Sequence, residues 1–285
     1  MTDSLSGATD DSDLTSLHSR HLVEAIRVDH LNKVFRQKHY SSIKRAVFNL
    51  LRAEKVVNYP ALTDLSFSVP QGQTVAVIGR NGSGKSTLLG ILARVYRPTS
   101  GRVDLLNPQG NAARIAPLLS LGAGFHLDLT AEQNIVFYGA ILGLTPKEIA
   151  KKRDEIVAFS ELEDKMDTAL HGWNDGAKLR LGFSIAVHID PDILLVDEVL
   201  AVGDEAFQNK CYRFIAQLQR AGKTILFVSH DLSVVERVAN RILWLQNGVI
   251  RMDGSVEEVL TAYREDAKSA PPPPNPRPQN PGEGE

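Results

Sequence analysis

The chain has 285 residues, enough for one substantial core with a subdomain and tails. Its 32 basic and 34 acidic residues leave a net charge of −2, which argues against a general nucleic-acid binder. The single cysteine, Cys211, excludes an internal disulfide, fits a reducing compartment and has no motif around it that would make it catalytic.

The opening residues Met1-Thr2-Asp3-Ser4 begin no basic region followed by an apolar core, so no signal peptide is expected. No apolar run reaches the ~20 residues of a membrane-spanning helix, and a soluble, cytoplasmic polypeptide is expected. Residues 1–22 are rich in Ser, Thr and Asp and are expected to form a mobile acidic tail. From Glu24, the run Ala25-Ile26-Arg27-Val28-Asp29-His30-Leu31 alternates as a half-exposed strand does, with Phe35 shortly after. Arg36 to Lys55 then carries Arg36, Lys38, Lys44, Arg45, Arg52 and Lys55 against one acid, Glu54. Tyr40, Ile43, Val47, Leu50 and Leu51 recur near helical spacing, which predicts a basic amphipathic helix over about 38–55. Two readings stand side by side: a surface helix packing its stripe on the domain, or an interfacial element meeting anionic lipid headgroups or an acidic substrate.

After Pro60, Ala61 to Val69 alternates again as a strand, and Pro70-Gln71-Gly72-Gln73 turns into the apolar run Thr74-Val75-Ala76-Val77-Ile78. Gly79-Arg80-Asn81-Gly82-Ser83-Gly84-Lys85-Ser86 follows and leads through Thr87 into Leu88-Leu89-Gly90-Ile91-Leu92. A buried strand, a glycine-rich loop and a helix start are the setting of a P-loop. The glycines let backbone N–H groups converge on phosphate oxygens, and the helix N-terminus adds partial positive charge. Lys85 is suited to the β- and γ-phosphates, and the Ser86 hydroxyl to Mg²⁺. The plain alternative is a strand-to-helix turn that binds nothing.

Arg97-Pro98-Thr99-Ser100-Gly101 is a turn, a short strand is expected near Arg102 to Leu105, and residues 107–117 are expected to be loop. The texture becomes helical over about 126–186, with Thr130 and Gln133 forming one N-terminal signature and Thr145-Pro146 another. Strand texture returns at Asp192–Asp197 and Thr224–Ser229, with a helical pattern over Glu205–Ala221 between them. Short apolar strands separated by helices predict a parallel sheet covered on both faces. Two further strands are expected around Arg241–Leu245 and Val249–Asp253, then a last helix from Val256 to about Glu265. Residues 266–285 are Pro-rich and expected to be disordered, leaving one folded domain over 23–265.

A phosphate loop needs an acidic partner, and Ile193-Leu194-Leu195-Val196-Asp197-Glu198 ends a buried strand in two carboxylates. Asp197 suits the Mg²⁺ water shell, and Glu198 is placed to orient and deprotonate an attacking water. His230, in Val228-Ser229-His230-Asp231 at the neighbouring strand's end, is the candidate γ-phosphate sensor.

Walker A at 79–86, Walker B with its glutamate at 193–198 and the histidine at 230 resemble the ATP-binding subunit of an ABC transporter, over roughly residues 24–265. The resemblance implies an α/β P-loop NTPase with a mostly parallel core sheet, antiparallel N-terminal strands and an inserted helical subdomain. It implies ATP and Mg²⁺, a homodimer burying two ATP molecules, and a separate membrane permease that holds the chain at the cytoplasmic face of the membrane. ATP would meet Gly79, Arg80, Asn81, Gly82, Ser83, Gly84, Lys85, Ser86 and Thr87, with Ser86 and Asp197 on the metal. Across the dimer, the signature loop stands at Trp173-Asn174-Asp175-Gly176-Ala177-Lys178-Leu179-Arg180, where only Gly176 and Arg180 match the common pattern. Asn174 replaces the serine and can still hydrogen-bond a phosphate through its amide. An Asp175 carboxylate facing the triphosphate would be repulsive unless directed elsewhere. Val199 to Asp204 stands at the D-loop, with Asp204 as the matching residue, and Ser120 to His126 at the glutamine loop contains no glutamine.

Leu121-Gly122-Ala123-Gly124-Phe125-His126, Asp197 to Asp204 and Ala206-Phe207-Gln208 through Lys210-Cys211 are similar to the polysaccharide-exporting branch. That branch moves O-antigen, capsule or teichoic acid chains and carries an N-terminal insert where the basic stretch lies here. A basic helix there could meet the pyrophosphate of a lipid-linked glycan. Some O-antigen members add a C-terminal carbohydrate-binding domain, which is not expected here after the short proline-rich tail. Adenine in the family stacks on an aromatic residue ahead of Walker A; Phe35 is the choice and Tyr59 its rival. An ATPase for another cargo, and a non-transport ATPase acting as a switch on DNA or the ribosome, are the alternatives.

Overall fold

The computed structural model describes residues 23–38, 56–119, 124–197 and 204–269. Its elements run in the order β1 (Glu24–Lys38), β2 (Val56–Pro70), β3 (Thr74–Ile78), α1 (Lys85–Leu92), β4 (Ser100–Leu105) and β5 (Ile115–Leu118). Then follow α2 (Ala131–Ile141), α3 (Pro146–Ser160), two short 3₁₀ turns, α4 (Asp175–Val187), β6 (Ile193–Asp197) and α5 (Glu205–Arg220). The described chain closes with β7 (Thr224–Val228), α6 (Leu232–Val238), β8 (Arg241–Gln246), β9 (Val249–Gly254) and α7 (Val256–Ser269).

The strands form two sheets, a three-stranded one in the order β2-β1-β4 and a six-stranded one in the order β5-β6-β7-β3-β8-β9. The smaller sheet is antiparallel throughout, and the larger is parallel except where β9 runs back along β8. That last hairpin turns on Asn247 and Gly248, both at positive φ (52° and 78°), the combination a two-residue hairpin turn of the right twist requires.

The parallel strands are apolar on both faces because both faces are covered. Val75 and Val77 of β3, with Ile193 and Leu195 of β6, join α1 and the three-stranded sheet in one core. Ala76 and Ile78, with Leu194 and Val196, pack into a second core with α2 to α7. The strand period of two therefore divides each buried run between the two cores.

The helical segment begins where its capping residues stand. Thr130 accepts from the Gln133 amide while the Gln133 side chain accepts from the Thr130 amide, and Thr145 and Glu148 make the same reciprocal pair around Pro146. These bonds from Thr145, with Arg114 adding to them, bring the Glu148 carboxyl down to about 2.

Three expectations are corrected. Residues 107–117 are not all loop, because Ile115 opens β5. Pro117 disguised that strand, and it is tolerated because β5 is an edge strand with only β6 beside it. Helix α7 continues to Ser269, past the expected end at Glu265. Lys38 belongs to strand β1 rather than to a helix, and it pairs with Val56 of β2. The basic insert thus connects β1 to β2; residues 39–55 themselves, like residues 1–22 and 270–285 of the expected tails, lie outside the described residues. Cys211 is fully buried, and burial pushes its thiol up to about 12, which suits a core residue and not a nucleophile.

Candidate functional site

The glycine loop joins the C-terminal end of β3 to α1 and forms one wall of a cavity of about 500 Å³. Its backbone path depends on two glycines in particular. At Gly79 (φ 149°) an added Cβ would lie 2.2 Å from the Leu245 carbonyl oxygen and 2.7 Å from Ser83 Oγ. At Gly84 (φ 104°) it would lie 2.6 Å from Leu62 Cδ2 and 2.7 Å from the Ala61 carbonyl oxygen. No L side chain fits either position without moving backbone.

Lys85, the first residue of α1, is buried, and its ammonium donates to the carbonyls of Gly79 (2.8 Å) and Arg80 (3.2 Å). Gly84 caps the helix without a side-chain bond, so no cap side chain stands over the first turn of α1. Lys85, Ser86, Thr87, Asn81, Gly82 and Gly84 face the cavity from the loop, with Asp197 at the end of β6, Leu119 after β5, and Tyr59 and Ala61 of β2 completing the wall. A Cβ at Gly82 would meet nothing within 4 Å, so this part of the cradle is open space.

An ammonium, helix amides and a hydroxyl on one side, with the Asp197 carboxylate facing them, fit a polyphosphate that brings a divalent cation. Among the described residues no cluster of three or more His, Cys, Asp or Glu side chains could hold a metal by itself.

The loop is braced from behind by residues the sequence did not single out for this role. The Gly248 amide donates to the Ser83 carbonyl (3.0 Å) and the Thr63 amide donates to the Gly248 carbonyl (2.8 Å). The Asn247-Gly248 turn was legible, but its place under the loop follows from β8 lying beside β3. Ser83 Oγ is, among the described residues, the buried side-chain oxygen with no hydrogen-bond partner.

The remaining predicted residues are distributed as follows. His230 is exposed two residues beyond β7, whose Val228 stands opposite Asp197, and it is not part of the cavity wall. Beside it, Asp231 caps α6, and its bonds to Ser233 hold its carboxyl below the usual range. Phe35, the first choice for the adenine stack, does not line the cavity; its ring meets Tyr96 edge-on at 5.5 Å with the Lys33 ammonium 4.8 Å from its centroid. Tyr59, directly opposite Phe35 in the strand register, is the aromatic residue at the wall, half exposed.

Asn174 and Gly176 lie away from this cavity, at the start of α4. The Asn174 side-chain oxygen accepts from the Ala177 amide (2.8 Å), capping the helix. Asp175 is directed to Lys178, 3.5 Å away, so its charge has a local partner. Asp204 caps α5 by accepting from the Phe207 amide (2.9 Å). Glu198, with residues 199–203, and the stretch 120–123 lie outside the described residues.

Among the described residues no helix is long and apolar enough to cross a membrane. The family model for ABC transporters matches residues 62–201. The chain is 41% identical over 245 residues to the O-antigen export system ATP-binding protein RfbB of Klebsiella pneumoniae, covering 84% of this chain and 97% of that one. It is 38% identical over 243 residues to the teichoic acids export ATP-binding protein TagH of Levilactobacillus brevis, covering 85% of this chain and 65% of that one. A solved ATP-binding subunit of an ABC transporter superposes with a TM-score of 0.66 at 19% identity, over 84% of this chain and 93% of that chain. The post-hydrolysis dimer of the ATP-binding cassette MJ0796, bound to ADP and Pi, superposes with a TM-score of 0.64 at 21% identity, over 81% and 98%. The two solved structures speak for the fold alone.

Proposed function

The chain belongs to the ATP-binding proteins of the ABC transporter family, and on that footing we propose that it is the ATPase subunit of a polysaccharide exporter. The observation that carries this reading is the 41% identity to an O-antigen export ATP-binding protein along 97% of that protein's length. The cavity supplies the chemistry. Lys85 and the first-turn amides of α1 hold the β- and γ-phosphates, and Glu198 orients the attacking water and takes its proton. Ser86 and Asp197 would hold Mg²⁺, which when bound neutralises charge on the phosphate oxygens. Catalysis by this chain is therefore mainly positioning and charge stabilisation.

Two copies would close over two ATP molecules, each held between one copy's glycine loop and the other's Asn174 and Gly176. With its oxygen committed to the helix cap, Asn174 keeps its amide donors for a γ-phosphate oxygen. Closing and reopening would drive a separate membrane subunit at the cytoplasmic face through differential affinity for its two states. The basic insert between β1 and β2 would, in this reading, meet lipid headgroups or a lipid-linked glycan. The test is purification of the full chain from its native membrane. Co-purification with a membrane protein that raises its magnesium-dependent ATP turnover is expected; co-purification with nucleic acid or ribosomes instead would overturn the reading.

Tyr59 is the residue we assign to adenine stacking, on its place at the cavity wall. Stacking is worth about 1 kcal/mol and reads no base edge, so Tyr59→Ala should weaken ATP and GTP alike by about fivefold. Phe35→Ala, measured in the same nucleotide titration, should change neither. The reverse pattern would return the assignment to Phe35.

A further inference from the structure

Helix α3 ends at Ser160, and the residue that caps it, Glu161, sits in the left-handed region at φ 55°, ψ 44°. Glycine or asparagine is the usual occupant of such a position, and a long side chain there is held against a steric cost. The carboxylate shows what is gained. One oxygen accepts from Arg180 of α4 (2.6 Å) and the other from Lys210 of α5 (2.8 Å). The same two cations satisfy the last carbonyls of α3: Arg180 donates to Ser160 (3.1 Å) and Lys210 to Phe159 (2.9 Å). Each also lies over an aromatic ring, Arg180 4.7 Å from the Phe207 centroid and Lys210 4.7 Å from that of Phe159. Arg180 then faces Asp204, whose second carboxylate oxygen is 4.0 Å away while the first caps α5.

One carboxylate at the end of α3 thus ties that helix to the second turns of α4 and α5. Helix α4 begins with Asn174 and Gly176, and α5 begins at Asp204, directly after the Val199–Gly203 stretch. Both starts belong to the surface that, under the function proposed above, meets the second copy. We propose that Glu161, acting through Arg180 and Lys210, is a positioning residue for ATP turnover: it sets the spacing between the signature loop and the Asp204 cap, so that both engage the partner copy's ATP together. It touches no nucleotide. The inference rests on the dimer reading, because only a second copy brings these two helix starts to a phosphate.

The experiment compares Glu161→Gly and Glu161→Gln with wild type in the full chain. Glycine relieves the backbone at φ 55° while removing the carboxylate, so loss of function in that variant is not backbone strain. Turnover should fall at least about tenfold in both variants, since displacement of a positioning group by an ångström costs this much or more. Nucleotide affinity of the single subunit, measured by titration without turnover, should stay at the wild-type value. Combined with Glu198→Gln, which under the proposed function should accumulate the ATP-bound pair, either variant should also lower the dimer fraction seen by sedimentation. A purely structural role would lower the melting temperature and leave the dimer fraction of the folded chain unchanged. Wild-type turnover and dimer formation in both variants would overturn the inference. A wild-type chain that binds ATP yet neither pairs nor turns over would overturn the parent reading, and this one with it.

Discussion

Lys85→Ala is expected to lower ATP turnover by about 10²–10³-fold, the usual loss when one preorganised charge donor is removed from a water-poor site. The side chain is 8% exposed and folded back onto the carbonyls of Gly79 and Arg80. An ammonium held at the bend of the loop is already placed when the phosphates arrive, and no reorganisation follows. The loop itself should survive the change, because its path is secured by Gly79 and Gly84 and by the Gly248 amide on Ser83. Nucleotide binding should weaken along with turnover, while the melting temperature of the free protein stays within a few degrees. Lys85→Arg should not rescue, since a planar guanidinium cannot replace a compact ammonium in this bend. Wild-type turnover in Lys85→Ala would remove Lys85 from the phosphate site.

Glu198→Gln is expected to cost about 10³-fold in turnover with ATP affinity retained, the pattern of a lost general base. The case rests on the preceding residue. Asp197 ends β6 in register with Val228 and lines the cavity, so the chain leaves the sheet at the mouth of the phosphate site. Asp197→Asn should behave differently, raising the magnesium concentration needed for half-maximal activity. Single-turnover measurements against magnesium separate the two. Equal magnesium dependence in both variants would mean the two carboxylates do not divide the work as assigned.

The resemblance to ABC ATP-binding subunits was visible in the linear sequence because its chief motifs are contiguous. Strand, glycine loop and helix follow one another from Thr74 to Leu92, and Asp197 and Glu198 adjoin the strand that carries them. The capping pairs Thr130/Gln133 and Thr145/Glu148 were legible for the same reason, since three-residue spacing and hydrogen-bond chemistry decide them locally. The parallel sheet followed from runs apolar on both faces.

Tertiary structure alone decided which distant residues meet. Phe35 and Tyr59 are opposite neighbours in register, yet β2 is the strand that passes the loop, with the Ala61 carbonyl and Leu62 against Gly84. Phe35, one strand further away, turns to Tyr96 instead. Strand β5 depended on edge position, which excuses Pro117, and edge position is a property of sheet order. The meeting of Glu161, Arg180, Asp204 and Lys210 depended on how the end of α3 lies against the opening turns of α4 and α5. Local sterics and hydrogen-bond spacing act along the chain and can be read from it; strand order, register and helix ends set distances across the chain, and those exist only once it is folded.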